Sequence, residues 1–284
     1  GPPETVVQEF HEVYQSRFLN YGGDRYTPVI ERGKMLIITY DAFHAALQPL
    51  VDWKMQSGIP TTVVDISAIG NNTTAIKNCI QAAYDQGGLA FVLLVGDAAQ
   101  IATPSAAGGA SDPTYALLAG TDRYPEVLIG RFSAETVAHV QTQVDRTIAY
   151  EKTPAAGANW YRQGTGIASD QGPGDDGEYD YAHMNVIRGK LLPYGYSLVD
   201  QIYDPTATAA MVSTALNSGR GIVNYCGHGS MTSWGTTGFS NTNVSALQND
   251  WMLPFVFSVA CVNGQFDAGT CFAEAWLRSV RGTN

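Results

Sequence analysis

Two apolar runs decide the fold of this 284-residue chain: GIVNYCGHGS at residues 221–230 and LPFVFSVACVNG at residues 253–264. Each is a short stretch of β-branched and aromatic residues bounded by turn residues. That pattern is typical of a strand buried on both faces of a parallel sheet. Neighbouring parallel strands end at the same edge of the sheet, where open α/β folds place their sites. We therefore expect His228 and Cys261, which follow the two strands, to lie side by side.

A cysteine beside a histidine suits nucleophilic catalysis. The thiolate is the reactive form of a cysteine, and a neighbouring imidazole can hold or take the thiol proton. The glycines that flank His228 let backbone N–H groups approach a substrate carbonyl, so the N–H groups of Gly229 and Cys261 are candidate oxyanion donors. The pattern favours a Cys/His dyad for acyl transfer. For each residue taken alone the alternative is structural, a small core cysteine and a hydrogen-bonded histidine.

Four motifs around these residues resemble the catalytic core of the gingipains, secreted caspase-like cysteine endopeptidases that cleave after basic residues. They are NYCGHGS at 224–230, TSWGT at 232–236, VACVNG at 259–264 and CFAEA at 271–275. Further similar segments are YTPV at 26–29, VDWK at 51–54, VLLVGD at 92–97, IGRF at 129–132 and YGY at 194–196. The resemblance covers nearly all of the chain from Tyr26 onward. It implies a bacterial enzyme that is secreted or held at the cell surface.

An acidic loop, predicted to leave the same sheet, is the best candidate for the specificity pocket. Its five carboxylates are Asp170, Asp175, Asp176, Glu178 and Asp180. A buried carboxylate pairs with a guanidinium through two charge-assisted hydrogen bonds, which is what selection of Arg requires. The resemblance implies that Asp180 binds the basic P1 side chain, with Arg preferred over Lys. The alternatives are that Asp180 orients His228 or that it caps a helix predicted to begin at Tyr181.

Other site residues are also suggested by the resemblance. Gingipains that cleave after Arg carry a glutamate that helps to hold the histidine, and Asp170 could take its place here as a third catalytic member. If it does not, the histidine is held by backbone alone. Cys226, Val259 and Ala260, at the ends of the two strands, are predicted to contact the substrate.

Calcium is the one metal that the resemblance suggests, in a structural role. Asp97, Asp112 and Asp122 all fall near strand ends on one side of the first predicted sheet, and Asp97 and Asp122 are our candidate ligands. Their spacing is not that of an EF-hand loop. We expect no cofactor in the catalytic step.

Outside these motifs, strands and helices alternate along the chain, which predicts an α/β fold. We expect two open parallel-sheet subdomains with flanking helices, the second of them caspase-like. The predicted parts are an N-terminal arm or propeptide remnant (1–25), an N-terminal α/β subdomain (26–155) and a catalytic subdomain (156–284). Within the first subdomain the pattern predicts a helix at 73–85 and a strand at 89–95. Asp41 and Ser133 are the predicted N-caps of two other helices.

The two ends of the chain carry predictions of their own. The Arg25–Tyr26 bond is one that an enzyme cleaving after Arg could process itself; a plain surface arm is the alternative. The chain stops shortly after Val280, whereas gingipains continue into a strand and loop that wall the P1 pocket. We therefore expect an apolar sheet edge here, which a second chain could cover.

Composition narrows the class of partner. Twenty-six acidic against 16 basic residues give a net charge of −10, which argues against a nucleic-acid partner and suits cationic substrates. No apolar stretch reaches the roughly 18 residues that a membrane span needs. The four cysteines show neither metal-ligand nor disulfide spacing. Two other functions stay open: a sortase-like transpeptidase of the same family, in which an amine resolves the acyl-enzyme, and an inactive binding or adhesion protein.

Overall fold

The structure is a computed structural model, and it describes residues 5–18, 21, 27–29, 31–174 and 177–280. The chain divides into two compact units, Gly1–Lys152 and Thr153–Asn284. The predicted processing bond Arg25–Tyr26, and Asp175 and Asp176 of the acidic loop, lie outside the described residues. In the part of the chain that is described, no helix is both long and apolar enough to cross a membrane.

The first unit is organised by a four-stranded parallel sheet. The strands of the whole unit are β1 (Thr5–Val6), β2 (Thr27–Pro28), β3 (Lys34–Thr39), β4 (Thr61–Asp65), β5 (Leu89–Val95), β6 (Ser105–Ala106), β7 (Gly109–Ala110) and β8 (Leu128–Phe132). The main sheet has the order β4-β3-β5-β8 with all pairs parallel, while β1-β2 and β6-β7 are separate two-stranded pairs. The first strand of the sheet therefore lies inside it.

Helices cover both faces of this sheet. They are α1 (Gln8–Arg17), α2 (His44–Gln56), α3 (Ile66–Ile69), α4 (Thr73–Asp85) and α5 (Val137–Lys152). Successive strand residues point to opposite faces, so Leu36 and Ile38 pack with Ile76 and Ile80, the buried residues of α4, while Ile37 packs on the other face with α2 and α5. The helix at 73–85 and the strand at 89–95 have the predicted bounds.

Two predicted helix caps are wrong. A 3₁₀ turn at Asp41–Phe43 precedes α2, and the Asp41 carboxylate accepts a hydrogen bond from the Ser67 N–H at 3.1 Å instead. Helix α5 begins at Val137, and the Thr136 hydroxyl accepts from the His139 N–H at 3.2 Å. In both cases a suitable side chain stood near the start of the helix, but the backbone entered the helix later.

The second unit repeats the parallel sheet. Its strands are β9 (Gln163–Ala168), β10 (Leu198–Tyr203), β11 (Ile222–Cys226), β12 (Gly229–Ser230), β13 (Ser233–Trp234) and β14 (Phe255–Val259). Its helices are α6 (Asp180–Tyr194), α7 (Ala209–Asn217), α8 (Asn241–Ser245) and α9 (Phe272–Arg278). The sheet has the order β10-β9-β11-β14, all parallel, and β12 and β13 form a short antiparallel hairpin. The predicted α/β class with two parallel sheets is confirmed.

Strand β14 departs from the prediction. It pairs with β11 and forms the outer strand of the sheet within the described residues. Phe255, Phe257 and Val259 are 59%, 56% and 65% exposed, whereas Val256 on the opposite face packs against the core. The prediction of burial on both faces therefore holds for β11, where Val223 and Tyr225 on one face and Asn224 on the other are buried, and is wrong for β14.

Candidate active site

The carboxyl ends of β11 and β14 meet at one edge of the second sheet. Cys226 is in register with Val259, and the Gly227 N–H donates to the Val259 carbonyl at 3.2 Å. His228 lies two residues beyond Cys226, and Cys261 two residues beyond Val259. Both side chains are exposed, as a residue that meets a substrate must be.

Gly229 brings the loops after these strands into direct contact. A Cβ added to it would lie 2.8 Å from the Ala260 Cβ and 2.8 Å from the Cys261 carbonyl oxygen. Such distances are shorter than van der Waals contact, so only glycine allows this approach. The structure thus places the backbone next to His228 against the backbone of the cysteine loop.

The backbone of His228 is held by two hydrogen bonds to its carbonyl oxygen. Its carbonyl accepts hydrogen bonds from the Tyr225 hydroxyl at 2.6 Å and from the Gly235 N–H at 2.7 Å. Tyr225 stacks on Trp234 with ring centroids 4.7 Å apart and planes 4° from parallel. Burial raises the pKa of Tyr225, so its hydroxyl stays protonated and remains a donor at neutral pH.

Asp180 reaches the same sheet edge from α6. Its carboxylate accepts from the Ser169 hydroxyl and from the Cys226 thiol, whose sulfur lies 3.4 Å from Oδ1. Ser169 directly follows β9, and Cys226 ends β11, so the carboxylate sits over two strand ends. The capping alternative is wrong, because Tyr179 occupies the N-cap position and Asp180 is already helical.

Asp170 lies at this edge but is turned to other partners. It is exposed, and its carboxylate accepts from the Gln171 side-chain amide at 3.2 Å. Burial, followed by the charge of Asp170, raises the pKa of Asp204, while a hydrogen bond with Thr236 acts in the opposite direction. Among the described residues no hydrogen bond joins Asp170 to His228.

The cysteines differ in accessibility. All four are described and none is in a disulfide, and Cys261 is the exposed one. Burial raises the pKa of the Cys271 thiol to about 11 and also raises that of Cys79. Those two thiols are held in the unreactive protonated form, whereas Cys226 lies at the Asp180 carboxylate.

The remaining substrate-binding candidates flank Cys261. Val259 is exposed at the end of β14, and Ala260 is partly buried against the core of the second unit. Both belong to the backbone segment that carries the cysteine into the open edge of the sheet.

The calcium candidates are not gathered into one ligand set. Asp97 accepts from the Ala98 N–H at 2.6 Å, and Asp122 accepts from the Tyr124 N–H at 2.9 Å. Asp112 pairs with Arg131 at 2.7 Å. Within the described residues no three His, Cys, Asp or Glu side chains are arranged to hold a metal. Calcium binding stays a prediction, and no catalytic step is routed through it.

Sequence reasoning missed three residues that shape this edge. Ser169 and Tyr225 make the contacts with Asp180 and His228 described above, and Asn263 joins the two loops. Asn263 and Tyr225 belong to the motifs that carry the resemblance, which is a signal of their relevance. Nothing in the sequence indicates which atoms they meet.

The sequence profile of peptidase family C25 matches residues 30–283. The chain belongs to peptidase family C25. Gingipain R2 from Porphyromonas gingivalis is 42% identical over 281 residues, which cover 96% of this chain and 38% of that protein. Lys-gingipain from the same organism is 29% identical over 271 residues, covering 90% of this chain and 15% of that protein. The predicted gingipain resemblance is confirmed.

Solved structures show the same relationship for the fold. A crystal structure of the Arg-specific cysteine proteinase gingipain R superimposes with a TM-score of 0.86 at 41% identity. The match covers 90% of this C25 chain and 62% of that chain. The chain therefore spans well under half of the length of its curated relative gingipain R2 and about three-fifths of this solved structure.

Proposed function

We propose that this C25 chain is a cysteine endopeptidase that hydrolyses peptide bonds after basic residues, with Arg preferred over Lys. One observation carries the proposal: the loops that bear His228 and Cys261 touch at the open edge of the second sheet, and the Asp180 carboxylate lies over the adjoining strand ends. Family membership supports the reaction class. The higher identity to gingipain R2 than to Lys-gingipain supports Arg.

The acylation step uses the thiol and the imidazole. His228 takes the Cys261 proton, and the thiolate attacks the scissile carbonyl to form a tetrahedral oxyanion. The imidazolium then gives its proton to the leaving amine as the C–N bond breaks, which leaves a thioester on Cys261. In the second half, His228 takes a proton from water as the water oxygen attacks the thioester. The C–S bond then breaks, the free acid leaves, and the imidazolium returns its proton to the Cys261 thiolate.

The oxyanion is stabilised by backbone donors. The N–H groups of Gly229 and Cys261 are our candidates, because the Gly229 contact fixes these two stretches of backbone against each other. Donors that are already in place gain strength in the transition state without reorganisation.

Asp180 is our candidate for recognition of the P1 side chain. Each carboxylate oxygen accepts one hydrogen bond, from Ser169 or Cys226, and an ionised carboxylate has lone pairs left for a bidentate guanidinium. The two donors also fix the direction of the carboxylate. Cys226, Val259 and Ala260 are proposed to contact the substrate backbone at the same edge, and Asp170 is kept as a candidate third member that would turn toward His228.

The setting of the enzyme is proposed from its relatives. These are proteins of a bacterium, and we propose a secreted or cell-surface location. The exposed Phe255, Phe257 and Val259 form an apolar face on the outer strand β14, which a second chain that docks at this edge of the sheet could cover.

The proposed specificity is tested by comparing kcat/KM for peptide amides that differ only at P1. Arg, Lys and citrulline, a neutral isostere of Arg, are the three residues. We expect the order Arg, Lys, citrulline. Asp180→Asn should lower kcat/KM for the Arg peptide by about 100-fold or more, because two charge-assisted hydrogen bonds are worth roughly 3 kcal/mol together.

Glu178→Gln is the matched control. Glu178 belongs to the same acidic loop but pairs with His183 at 3.2 Å on the surface, so the variant should leave the order and the rates nearly unchanged. Equal rates with Arg and citrulline, or an Asp180→Asn enzyme that still prefers Arg, would contradict the proposed role of Asp180.

A further inference from the structure

A chain of hydrogen bonds joins the loop after His228 to the loop after Cys261. The Trp234 indole N–H donates to the Ser258 hydroxyl at 2.8 Å, and that hydroxyl donates to the Asn263 Oδ1 at 2.8 Å. The Asn263 Nδ2 group then donates to the carbonyls of Ser230 and, at 3.1 Å, of Ser233. Asn263 therefore contacts both strands of the β12–β13 hairpin, at the two residues that flank its turn.

The direction of every bond in this chain is fixed by chemistry. An indole N–H can only donate, so the Ser258 oxygen accepts there and has its single proton free for Asn263. The Asn263 atom that accepts this proton must be Oδ1. Its Nδ2 group consequently faces two backbone carbonyls, which can only accept. The amide has one favourable orientation.

Burial makes these bonds hard to replace. Asn263 is 4% exposed, and Trp234 is fully buried. The loss of the Asn263 N–H groups would take a donor from two part-buried hydrogen bonds, which costs more than the loss of an exposed hydrogen bond. Val262, with a φ of +52°, places Asn263 in this position through a backbone conformation that β-branched residues rarely adopt.

We propose that Asn263 is a positioning residue that sets the distance between Cys261 and His228. Asn263 follows Cys261 by two residues, and its amide donates hydrogen bonds to the hairpin that begins directly after His228. A thiol gains thiolate character when an imidazole lies close enough to pair with it. The inference rests on the proposed function, because it assumes that the two side chains act as a pair.

The test measures the rate of Cys261 alkylation by iodoacetamide between pH 4 and 10, followed by peptide mass spectrometry. The inflection of the profile reports the pH at which the thiolate forms. In the unaltered protein we expect it below the ordinary thiol value of about 8.5. Asn263→Leu keeps roughly the size of the side chain and adds no charge near the thiol, but lacks the acceptor for Ser258 and the N–H groups for Ser230 and Ser233. Its inflection should rise toward the ordinary value, and its rate at pH 6 should fall about tenfold or more.

Asn249→Leu is the matched control. Asn249 is a buried asparagine of the same unit that donates to the Met252 carbonyl at 2.9 Å, just before β14 begins. The control should lower thermal stability and leave the inflection in place. A purely structural role for Asn263 would give the same result.

Ser258→Ala supplies a second variant. It removes the partner that fixes the amide orientation while leaving Asn263 in place, so its inflection should rise by less than in Asn263→Leu. If Asn263→Leu does not fold, this variant carries the test. If the alkylation profile of the unaltered protein has its inflection at the ordinary thiol value, the proposed thiol–imidazole pair itself is contradicted. A low inflection that neither variant moves would overturn only the role of Asn263.

Discussion

The two units build the same sheet and use its carboxyl edge differently. When the four parallel strands of each sheet are numbered by their order in the chain, they lie side by side as second, first, third and fourth. In the first unit Arg131, from the fourth strand, pairs with Asp112 and donates to the carbonyls of Gly96 and Ile101. In the second, the third and fourth strands run out into exposed His228 and Cys261.

The comparison shows that topology supplies an edge, and side chains decide what the edge does. At the first edge a buried cation and anion neutralise each other and tie loops down. At the second edge, glycines and short strand extensions leave a thiol and an imidazole exposed. Function therefore follows from the residues at the edge and not from the sheet.

The largest expected effect follows from adding a methyl group at the glycine that brings the loops of His228 and Cys261 into contact. Gly229→Ala should lower the rate of Cys261 labelling by a substrate-like peptidyl reagent by about 100-fold, because a shift near 1 Å between reacting groups costs that much. Gly130→Ala on β8, where an added Cβ meets nothing within 4 Å, is the control. Equal labelling rates in the two variants would show that the loop contact is unimportant.

The first edge should respond in stability and not in chemistry. Asp112→Asn removes the carboxylate that accepts two hydrogen bonds from the buried Arg131 guanidinium, which should cost about 3 kcal/mol of unfolding free energy. Asp65→Asn breaks an exposed pair with His44 and should cost less than about 1 kcal/mol. Urea unfolding measures both. A marked loss of Cys261 labelling in folded Asp112→Asn protein would contradict the division of roles.

A smaller effect is expected from the hydroxyl behind His228. Tyr225→Phe keeps the ring on Trp234 but removes the donor to the His228 carbonyl. It should cost about 1 kcal/mol of stability and slow labelling several-fold. Tyr203→Phe, whose hydroxyl bonds to Asn185 near the surface, should change stability by less than about 0.5 kcal/mol. If Tyr225→Phe is labelled at the rate of the unaltered protein, the Tyr225 hydroxyl has no part in positioning His228.

The smallest effect concerns pH. The pKa of Asp204 is raised above its ordinary value of 3.8 by burial first and then by Asp170, so the folded state holds this proton more tightly than the unfolded state does. The stability that this group contributes is fully present below pH 3.8 and is lost as pH rises through the folded pKa. Measured against the unaltered protein, Asp204→Asn should therefore have a more favourable difference in melting temperature at pH 7 than at pH 3.5. Asp170→Asn should weaken the same dependence. A melting difference that is constant with pH would contradict this.

Much of the frame could be predicted from the sequence. Helix α4 and strand β5 have their predicted bounds because periodicity and turn residues are local signals. Two apolar runs that end in reactive residues were enough to predict a shared sheet edge. The predicted caps Asp41 and Ser133 were wrong because a cap depends on where the backbone turns, which the side chain alone does not decide.

The rest depends on contacts between distant parts of the chain. The exposure of Phe255 and Phe257 depends on what lies beside β14, and their residue types are the same in a covered and an open strand. Asp180 could be named from the resemblance, but its partners Ser169 and Cys226 come from two other strands. The four-membered chain from Trp234 to Ser230 joins three segments whose spacing in the sequence carries no signal.

The central claim is that the second edge holds a nucleophilic Cys261 beside a carboxylate that selects a basic side chain. Its most direct test is to treat the protein with peptidyl chloromethyl ketones ending in Arg, Lys and Asp, and to locate the adducts by peptide mass spectrometry. We expect attachment to Cys261, fastest with Arg, slower with Lys and absent with Asp. Attachment at another cysteine, or an equal rate with the Asp reagent, would contradict it.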